Sequence, residues 1–273
     1  MTTGVLTVPS LADLVASGGV VVLSGAGLST ESGIPDYRGP TGRARAGVPM
    51  TFQEFASSAQ ARQRYWARSH LGWRMIARAR PNAGHAAVAA LHGRGNVVGI
   101  ITQNVDGLHQ AAGAGDVVEL HGSIDRVVCL GCGSRSSRSS LDRRLRTANA
   151  DWDAAADSFA PDGDAIVTAA DIERFRVVDC DLCGSLLKPD VVFFGENVPR
   201  PRVDVCYAMV DAARVLLVLG SSLTVMSGFR FVRRAAQRGI PIAIVNQGPT
   251  RGDALADLVV DAPLGVTLAA LAA

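Results

Sequence analysis

Six short apolar runs, rich in β-branched residues, punctuate the chain: Val20–Leu23, Val97–Ile101, Val117–Leu120, Val191–Phe194, Val215–Leu219 and Ile242–Val245. Runs this short and this unbroken predict strands buried on both faces, as in a parallel sheet covered by helices. Longer stretches with helical patterning separate several of them, at about 51–80, 83–93, 201–213 and 226–238. The alternation predicts a doubly wound α/β fold, a parallel sheet with helices on both faces.

Each run is followed by glycine and small polar residues. They are Ser24 to Ser29, Thr102 to Asp106, His121-Gly122, Gly195-Glu196-Asn197, Gly220-Ser221-Ser222 and Asn246-Gln247-Gly248. One such cluster is an ordinary turn. Six at the carboxyl ends of predicted strands mark the edge where open α/β sheets bind ligands.

Two regions interrupt the alternation. Residues 126–185 begin and end with a C-x-x-C pair around a polar stretch, and are expected to be a small module inserted into a core formed by 1–125 and 186–273. Residues of about 40–85 form a second insert, a Gly/Arg-rich loop followed by helices, placed to act as a mobile lid.

With 48% hydrophobic and 19% charged residues, the 273-residue chain has the balance of a folded domain. A net charge of +2 gives no nucleic-acid footprint. The arginines between Arg62 and Arg80 read as a solvated helix face. No apolar run approaches the roughly 20 residues that span a bilayer, so no membrane partner is expected. Met1 to Ser10 lacks the pattern of a secretory signal, and a cytoplasmic location is expected.

The glycine cluster Gly25-Ala26-Gly27 lies between a predicted strand and a predicted helix, where backbone N–H groups can face a pyrophosphate. It departs from G-x-G-x-x-G, because Thr30 holds the third glycine position. The acidic residue expected about 20 positions on is also missing, since that stretch reads Ala44-Arg45-Ala46-Gly47. The departures favour a nonstandard dinucleotide mode in a Rossmann-like core, with a tight turn as the plainer alternative.

Cys129-Leu130-Gly131-Cys132 and Cys180-Asp181-Leu182-Cys183 have zinc-ribbon spacing. Four thiolates leave no open coordination position, so this zinc would hold structure. A redox dithiol is the competing reading, and neither pair sits at the strand-to-helix turn it would need. Cys206 reads as a core residue. Among the histidines, His70, His85 and His92 fall in helical patterns and His109 closes the turn after Asn104. His121 alone ends a strand on the ligand edge, where position leaves catalytic and packing roles equally open. Neither G-x-S-x-G nor H-E-x-x-H is present, which argues against serine-hydrolase and zinc-protease chemistry.

Taken in order, Gly25 to Arg38, Thr102 to His109, His121-Gly122, the two cysteine pairs, Lys188 to Glu196, Gly220 to Leu223 and Asn246 to Gly248 resemble the sirtuin family of NAD-dependent protein deacylases. Arg62 to Arg68, Ala160 to Asp164 and Gly248 to Arg251 resemble its class II, sirtuin-4-like branch. The resemblance implies NAD as co-substrate, one structural zinc per chain, and acyl transfer from a substrate lysine to ribose with release of nicotinamide. It implies cofactor contacts from Gly25, Ala26, Gly27, Ser29, Thr30, Asp36, Tyr37, Arg38, Gln103, Asn104, Val105, Asp106, His121, Gly220, Ser221, Ser222, Asn246, Gln247, Gly248 and Leu264. His121 would be the general base and Asn104 would position ribose or water. An acylated-lysine peptide would add as a strand along Val192, Phe194, Gly195 and Glu196.

Desuccinylating sirtuins carry a Tyr-x-x-Arg pair that clamps a carboxylate. The loop Gly39 to Arg45, taken as its counterpart, supplies no such tyrosine, although Arg43 and Arg45 could meet an acidic acyl group or NAD phosphates. Mono-ADP-ribosyl transfer at the same site is the nearest alternative activity, and a non-enzymatic NAD or ADP-ribose sensor a further one.

Overall fold

The structure is a computed structural model that describes residues 10–36, 49–154 and 165–273. The expectations for Tyr37, Arg38, Arg43, Arg45 and the Ala160–Asp164 motif lie outside these residues.

Helix α1 (Leu11–Ala16) leads into strand β1 (Val20–Ser24), and a 3-10 helix follows at Ala26–Ser32. Helices α2 (Phe52–Ser57), α3 (Ala59–Arg78) and α4 (Ala83–Gly93) precede β2 (Val97–Thr102), the short α5 (Leu108–Ala111) and β3 (Val117–Glu119). Then come β4 (Gly122–Cys129), β5 (Arg135–Ser137), α6 (Arg138–Ala148), α7 (Ala169–Arg174) and β6 (Leu187–Val191). The chain continues through α8 (Arg200–Ala212), β7 (Val215–Leu219), α9 (Met226–Arg238), β8 (Ile242–Asn246), β9 (Leu258–Asp261) and α10 (Leu264–Ala272).

The large sheet runs β3-β2-β1-β7-β8-β9 with every pairing parallel. Strands β1 and β7 are buried at every position because both faces are covered. On one face Val20, Val22, Leu217 and Leu219 pack under Val88 and Leu91 of α4 and Leu268 of α10. On the other, Val21, Leu23, Leu216 and Val218 pack under Val203 and Val210 of α8 and Phe231 and Val232 of α9. Each such side chain contributes about 1.5–3 kcal/mol by leaving water.

The fourth apolar run departs from expectation. It was expected to be a parallel core strand, but only Val191 of it lies in a strand, the last residue of β6, which pairs antiparallel with β4 in a separate three-stranded sheet, order β5-β4-β6. Val191 and Phe193 of the run serve a second core instead, with Val127, Leu187, Phe55, Trp66, Leu141 and Phe175, while Phe194 is exposed. An apolar run reports burial but not the sheet that buries it. The edge place in the large sheet goes to β9, whose apolar run Leu258-Val259-Val260 is only three residues long and half-buried or exposed. Because β4 starts at Gly122 and β6 ends at Val191, the small sheet reaches past 126 and 185 on both sides.

Candidate functional site

Strand order reverses between β1 and β7, so their carboxyl ends open a crevice. Two close backbone approaches shape it. Gly25 N–H donates to Leu219 O at 2.9 Å and Gly27 N–H to Gly220 O at 2.8 Å. A Cβ on Gly27 would stand 2.9 Å from Gly220 Cα, closer than atoms pack. The glycines therefore let two strand ends meet, and two of the cluster's N–H groups are already engaged within the chain. Asn82, the N-cap of α4, anchors the 3-10 segment by donating to Leu28 O at 2.7 Å and Ser32 Oγ at 3.0 Å.

The crevice continues into a cavity of about 1020 Å³. Gly25, Ala26, Gly27, Ser29 and Asp36 line it, as do Gln103, Asn104, Val105, Asp106 and His121. Gly220, Ser221, Ser222, Asn246, Gln247 and Gly248 complete the crevice side, with Val192, Phe194, Gly195 and Glu196 opposite. Thr30 and Leu264 are not among the lining residues. The Thr30 hydroxyl turns back to Gly27 O at 2.9 Å, and Leu264 is buried in the core beside Gly220.

The polar residues after β2 form one network. Asn104 Nδ2 donates to Gly25 O and to Ser29 Oγ, both at 3.0 Å. Ser29 Oγ donates to Asp106 Oδ2 at 2.7 Å, and Gln103 Nε2 donates to Ser221 Oγ at 2.8 Å. Burial pushes the Asp106 carboxyl above its ordinary range, against the bonds from Leu108 N–H and Ser29 that lower it. At the end of β8, Asn246 Nδ2 donates to Gly248 O at 2.8 Å and Gly248 N–H to Asp261 of β9 at 3.1 Å.

His121 stands where the chain leaves the large sheet and enters the small one. Its Nδ1 is 2.8 Å from Gln103 O and its Nε2 is 2.8 Å from Ser227 Oγ. Burial lowers its pKa to about 4, opposed by the Gln103 carbonyl and reinforced by Arg202 and Arg230, so the ring is neutral at pH 7. A neutral imidazole with Nδ1–H on a carbonyl offers Nε2 as an acceptor, the state a general base needs. His85 and His109 are fully or nearly fully buried, with pKa values lowered by burial to about 4 and about 3. They brace the floor of the crevice, His109 through Ser24 Oγ at 2.9 Å.

The Val192–Glu196 segment is tied to His121 and to the start of α2. Val192 N–H donates to His121 O at 2.8 Å, and Phe52 N–H donates to Phe194 O at 2.9 Å. The Glu196 carboxylate turns inward to Phe193 N–H at 2.9 Å and Lys188 Nζ at 3.1 Å. Glu196 thus braces the segment from behind.

The cysteine pairs form matching knuckles. Cys129 N–H donates to Ser134 O and Gly133 N–H returns to Cys129 O; Cys180, Gly184 and Ser185 repeat both bonds. The sulfurs interleave, Cys129 with Cys183 at 3.5 Å and Cys132 with Cys180 at 3.9 Å, and all four lie within 4.8 Å of one another. A tetrahedral zinc with Zn–S of ~2.3 Å spaces its thiolates by roughly 3.8 Å, so the set fits. The Ser134 hydroxyl, bonded to Cys132, helps hold that thiol down to about 6. The grouping favours one four-thiolate site over two separate dithiols.

Several lining residues were not anticipated: Ile34, Tyr65, Arg68, Trp73, Ile76, Ser227 and Arg230 among them. The Tyr-x-x-Arg spacing sought in the loop after the glycine motif occurs instead at Tyr65-Trp66-Ala67-Arg68 on α3, and both Tyr65 and Arg68 face the cavity. The spacing is visible in the sequence, but no local pattern shows that this face of α3 turns toward the cavity.

The fold and the site together define a dinucleotide-binding α/β protein that carries a four-cysteine metal module. The sequence signature of the Sir2 family matches residues 25–227, and the chain belongs to that family. It is 60% identical to NAD-dependent protein deacetylase 1 of Streptomyces coelicolor over 269 residues, covering 98% of this chain and 90% of that protein. It is 51% identical to NAD-dependent protein deacetylase 1 of Mycobacterium avium over 277 residues, covering 100% of this chain and 97% of that protein. Among solved structures, a Sir2–p53 peptide–NAD+ complex superposes with a TM-score of 0.77 at 29% identity, covering 96% of each chain. Sir2 bound to acetylated peptide gives a TM-score of 0.73 at 28% identity, covering 94% of this chain and 93% of that one. Among the described residues no helix is long and apolar enough to cross a membrane.

Proposed function

We propose that His121 is the general base of an NAD-dependent protein-lysine deacylase, with Asn104 positioning ribose or water in the crevice. The chain is an enzyme of the NAD-dependent protein deacetylase type. The observation that carries the base assignment is the neutral, pinned imidazole of His121 on the cavity wall, its Nδ1 fixed by Gln103 O at 2.8 Å. In this reading Gly25 to Ser29, Gln103 to Asp106, Gly220 to Ser222 and Asn246 to Gly248 hold NAD. His121 accepts a proton from a ribose hydroxyl, which makes that oxygen the acyl acceptor. The peptide lies as an added strand beside Val192 to Glu196.

The class II, sirtuin-4-like assignment and a preference for acyl chains longer than acetyl belong to the same proposal. They are supported by the Arg62-to-Arg68 and Gly248-to-Arg251 motifs, and by a cavity that continues to Tyr65, Arg68, Trp73 and Ile76. Incubation with NAD and a panel of acyl-lysine peptides tests the whole reading. Release of nicotinamide and O-acyl-ADP-ribose is expected, with longer acyl chains turned over faster than acetyl. NAD-derived label accumulating on protein without loss of acyl groups would replace deacylation by ADP-ribosyl transfer. His121→Ala should abolish turnover while NAD affinity stays within about fivefold, because the residue's task is in the transition state.

A further inference from the structure

His121 is held from both sides. The Gln103 carbonyl, 2.8 Å from Nδ1, can only accept, so Nδ1 carries the proton and Nε2 the lone pair. The Ser227 hydroxyl, 2.8 Å from Nε2, therefore donates to it. Ser227 is the second residue of α9 and lines the cavity. Its neighbour completes the fit. A Cβ on Gly228 would stand 2.5 Å from Gln103 Oε1 and 2.8 Å from Gln103 Cδ, so the missing side chain lets the start of α9 settle against Gln103 where it lies. The Ser227-Gly228 pair thus docks one helix end on the residue that fixes Nδ1, and places a hydroxyl on Nε2.

Resting on the assignment of His121 as base, we propose that Ser227 is a positioning residue for that base. It fixes the imidazole plane and tautomer so that Nε2 faces the cavity before substrate enters. The serine hydroxyl donates while the ring is neutral and can turn to accept from Nε2–H once the ring is protonated, so His121 keeps a partner in both states. Two charged groups also face the ring, Arg202 from α8 and Arg230 from α9, and both disfavour its protonation. Arg202 is held beside it by donating to Leu120 O at 3.1 Å.

The test compares the parent with Ser227→Ala, Ser227→Thr and His121→Ala in the full chain, using steady-state kinetics, NAD binding and thermal midpoint. Losing one neutral hydrogen bond on the base should lower kcat of Ser227→Ala roughly three- to tenfold. KM for NAD should stay within about twofold, since the lost bond is to the base and not to the nucleotide. Ser227→Thr keeps the hydroxyl and should recover most of the loss. The hydroxyl partners both states, and the bond it accepts from the protonated Nε2–H is charge-assisted and the stronger, so its removal should move the acid limb of the Ser227→Ala kcat profile to lower pH. A purely structural role would lower the thermal midpoint and leave that limb in place. Two results would each overturn the proposal. One is a Ser227→Ala enzyme with parental kcat and an unmoved acid limb; the other is a Ser227→Thr enzyme no better than Ser227→Ala. If His121→Ala itself turns over normally, the base assignment fails; if only the serine variants match the parent, that assignment stands and the positioning role falls.

Discussion

Acidification should unfold this protein through its histidines before its carboxylates are spent. Burial lowers His85 and His121 to about 4 and His109 to about 3. In the unfolded chain each returns to ~6.5. Below that value the unfolded state binds protons that the folded state refuses, so stability falls with pH from about 6.5 down to the folded values. Between pH 6.5 and 5 each histidine removes at most about 2 kcal/mol, and the three together about 6 kcal/mol. That ceiling rivals the ~5–15 kcal/mol by which a domain is stable at all. His70, lowered to about 4 by burial against the pull of Asp142, acts in the same direction. Asp106 acts oppositely: its raised pKa means the fold takes up a proton readily and gains stability as pH falls through that value. The Arg234 pair holds Asp211 at about 2, so its share is lost only below the ordinary carboxylate range, outside this window. Urea unfolding followed by tryptophan fluorescence at pH 7.5, 6.5, 5.5 and 5.0 reads the effect directly. A free energy that changes by less than about 1 kcal/mol across that series would refute the burial argument.

Gly27→Ala should cost about 1–3 kcal/mol of stability, because the added methyl meets Gly220 Cα at 2.9 Å. Calorimetric titration of that variant should also show weakened NAD binding, since the crevice is built on this approach. Asp142 is fully buried, 2.9 Å from His70 Nδ1 and 2.6 Å from Arg146 Nη2. Asp142→Ala should therefore lower the unfolding free energy by about 3–5 kcal/mol, a loss that denaturant titration would register. Metal analysis of purified protein should find about one zinc per chain, and Cys132→Ser with Cys183→Ser should abolish it.

What the sequence made legible follows from how each feature is encoded. Strands β1, β2, β7 and β8 are covered on both faces, and burial alone writes them as unbroken apolar runs. The helix ranges near 83–93 and 226–238 match α4 and α9, because the amphipathic pattern of α9 and the end signals at Asn82 and Gly239 are local. The small sheet was illegible. Its strand β5 is Arg135-Ser136-Ser137, exposed and without hydrophobic alternation, held by pairing with β4 and by the Arg135–Asp190 ion pair. For the site, the polar clusters announced the crevice because they recur at the carboxyl ends of several strands, where one alone would be an ordinary turn. The α3 wall was hidden because Tyr65, Arg68, Trp73 and Ile76 read as an ordinary helix until the fold turns them toward the cavity. Ser227 was hidden for a different reason: it lies 106 positions from His121, and no local pattern encodes that contact.

The place of His121 between two sheets also decides what the zinc can do. The chain leaves β3, turns at Leu120-His121, and runs directly into β4, whose last residue is Cys129. Pairing sets Gly122 beside Val191 and Cys129 beside Leu187, so the two ends of β4 stand about 13 Å apart, the length of four residues of β6, with His121 at one end and the cysteines at the other. A Lewis acid at that distance cannot polarise an acyl oxygen at His121, and four thiolates leave it no position for water. Its influence must pass through β4 and through the Val192 N–H to His121 O bond. Exchange of zinc for cobalt, which keeps a tetrahedral thiolate site, should leave kcat within about twofold and the acid limb unmoved. Chelation should loosen the sheet and lower kcat together with the thermal midpoint. A cobalt enzyme with a shifted pH profile would mean that the metal acts on the chemistry itself.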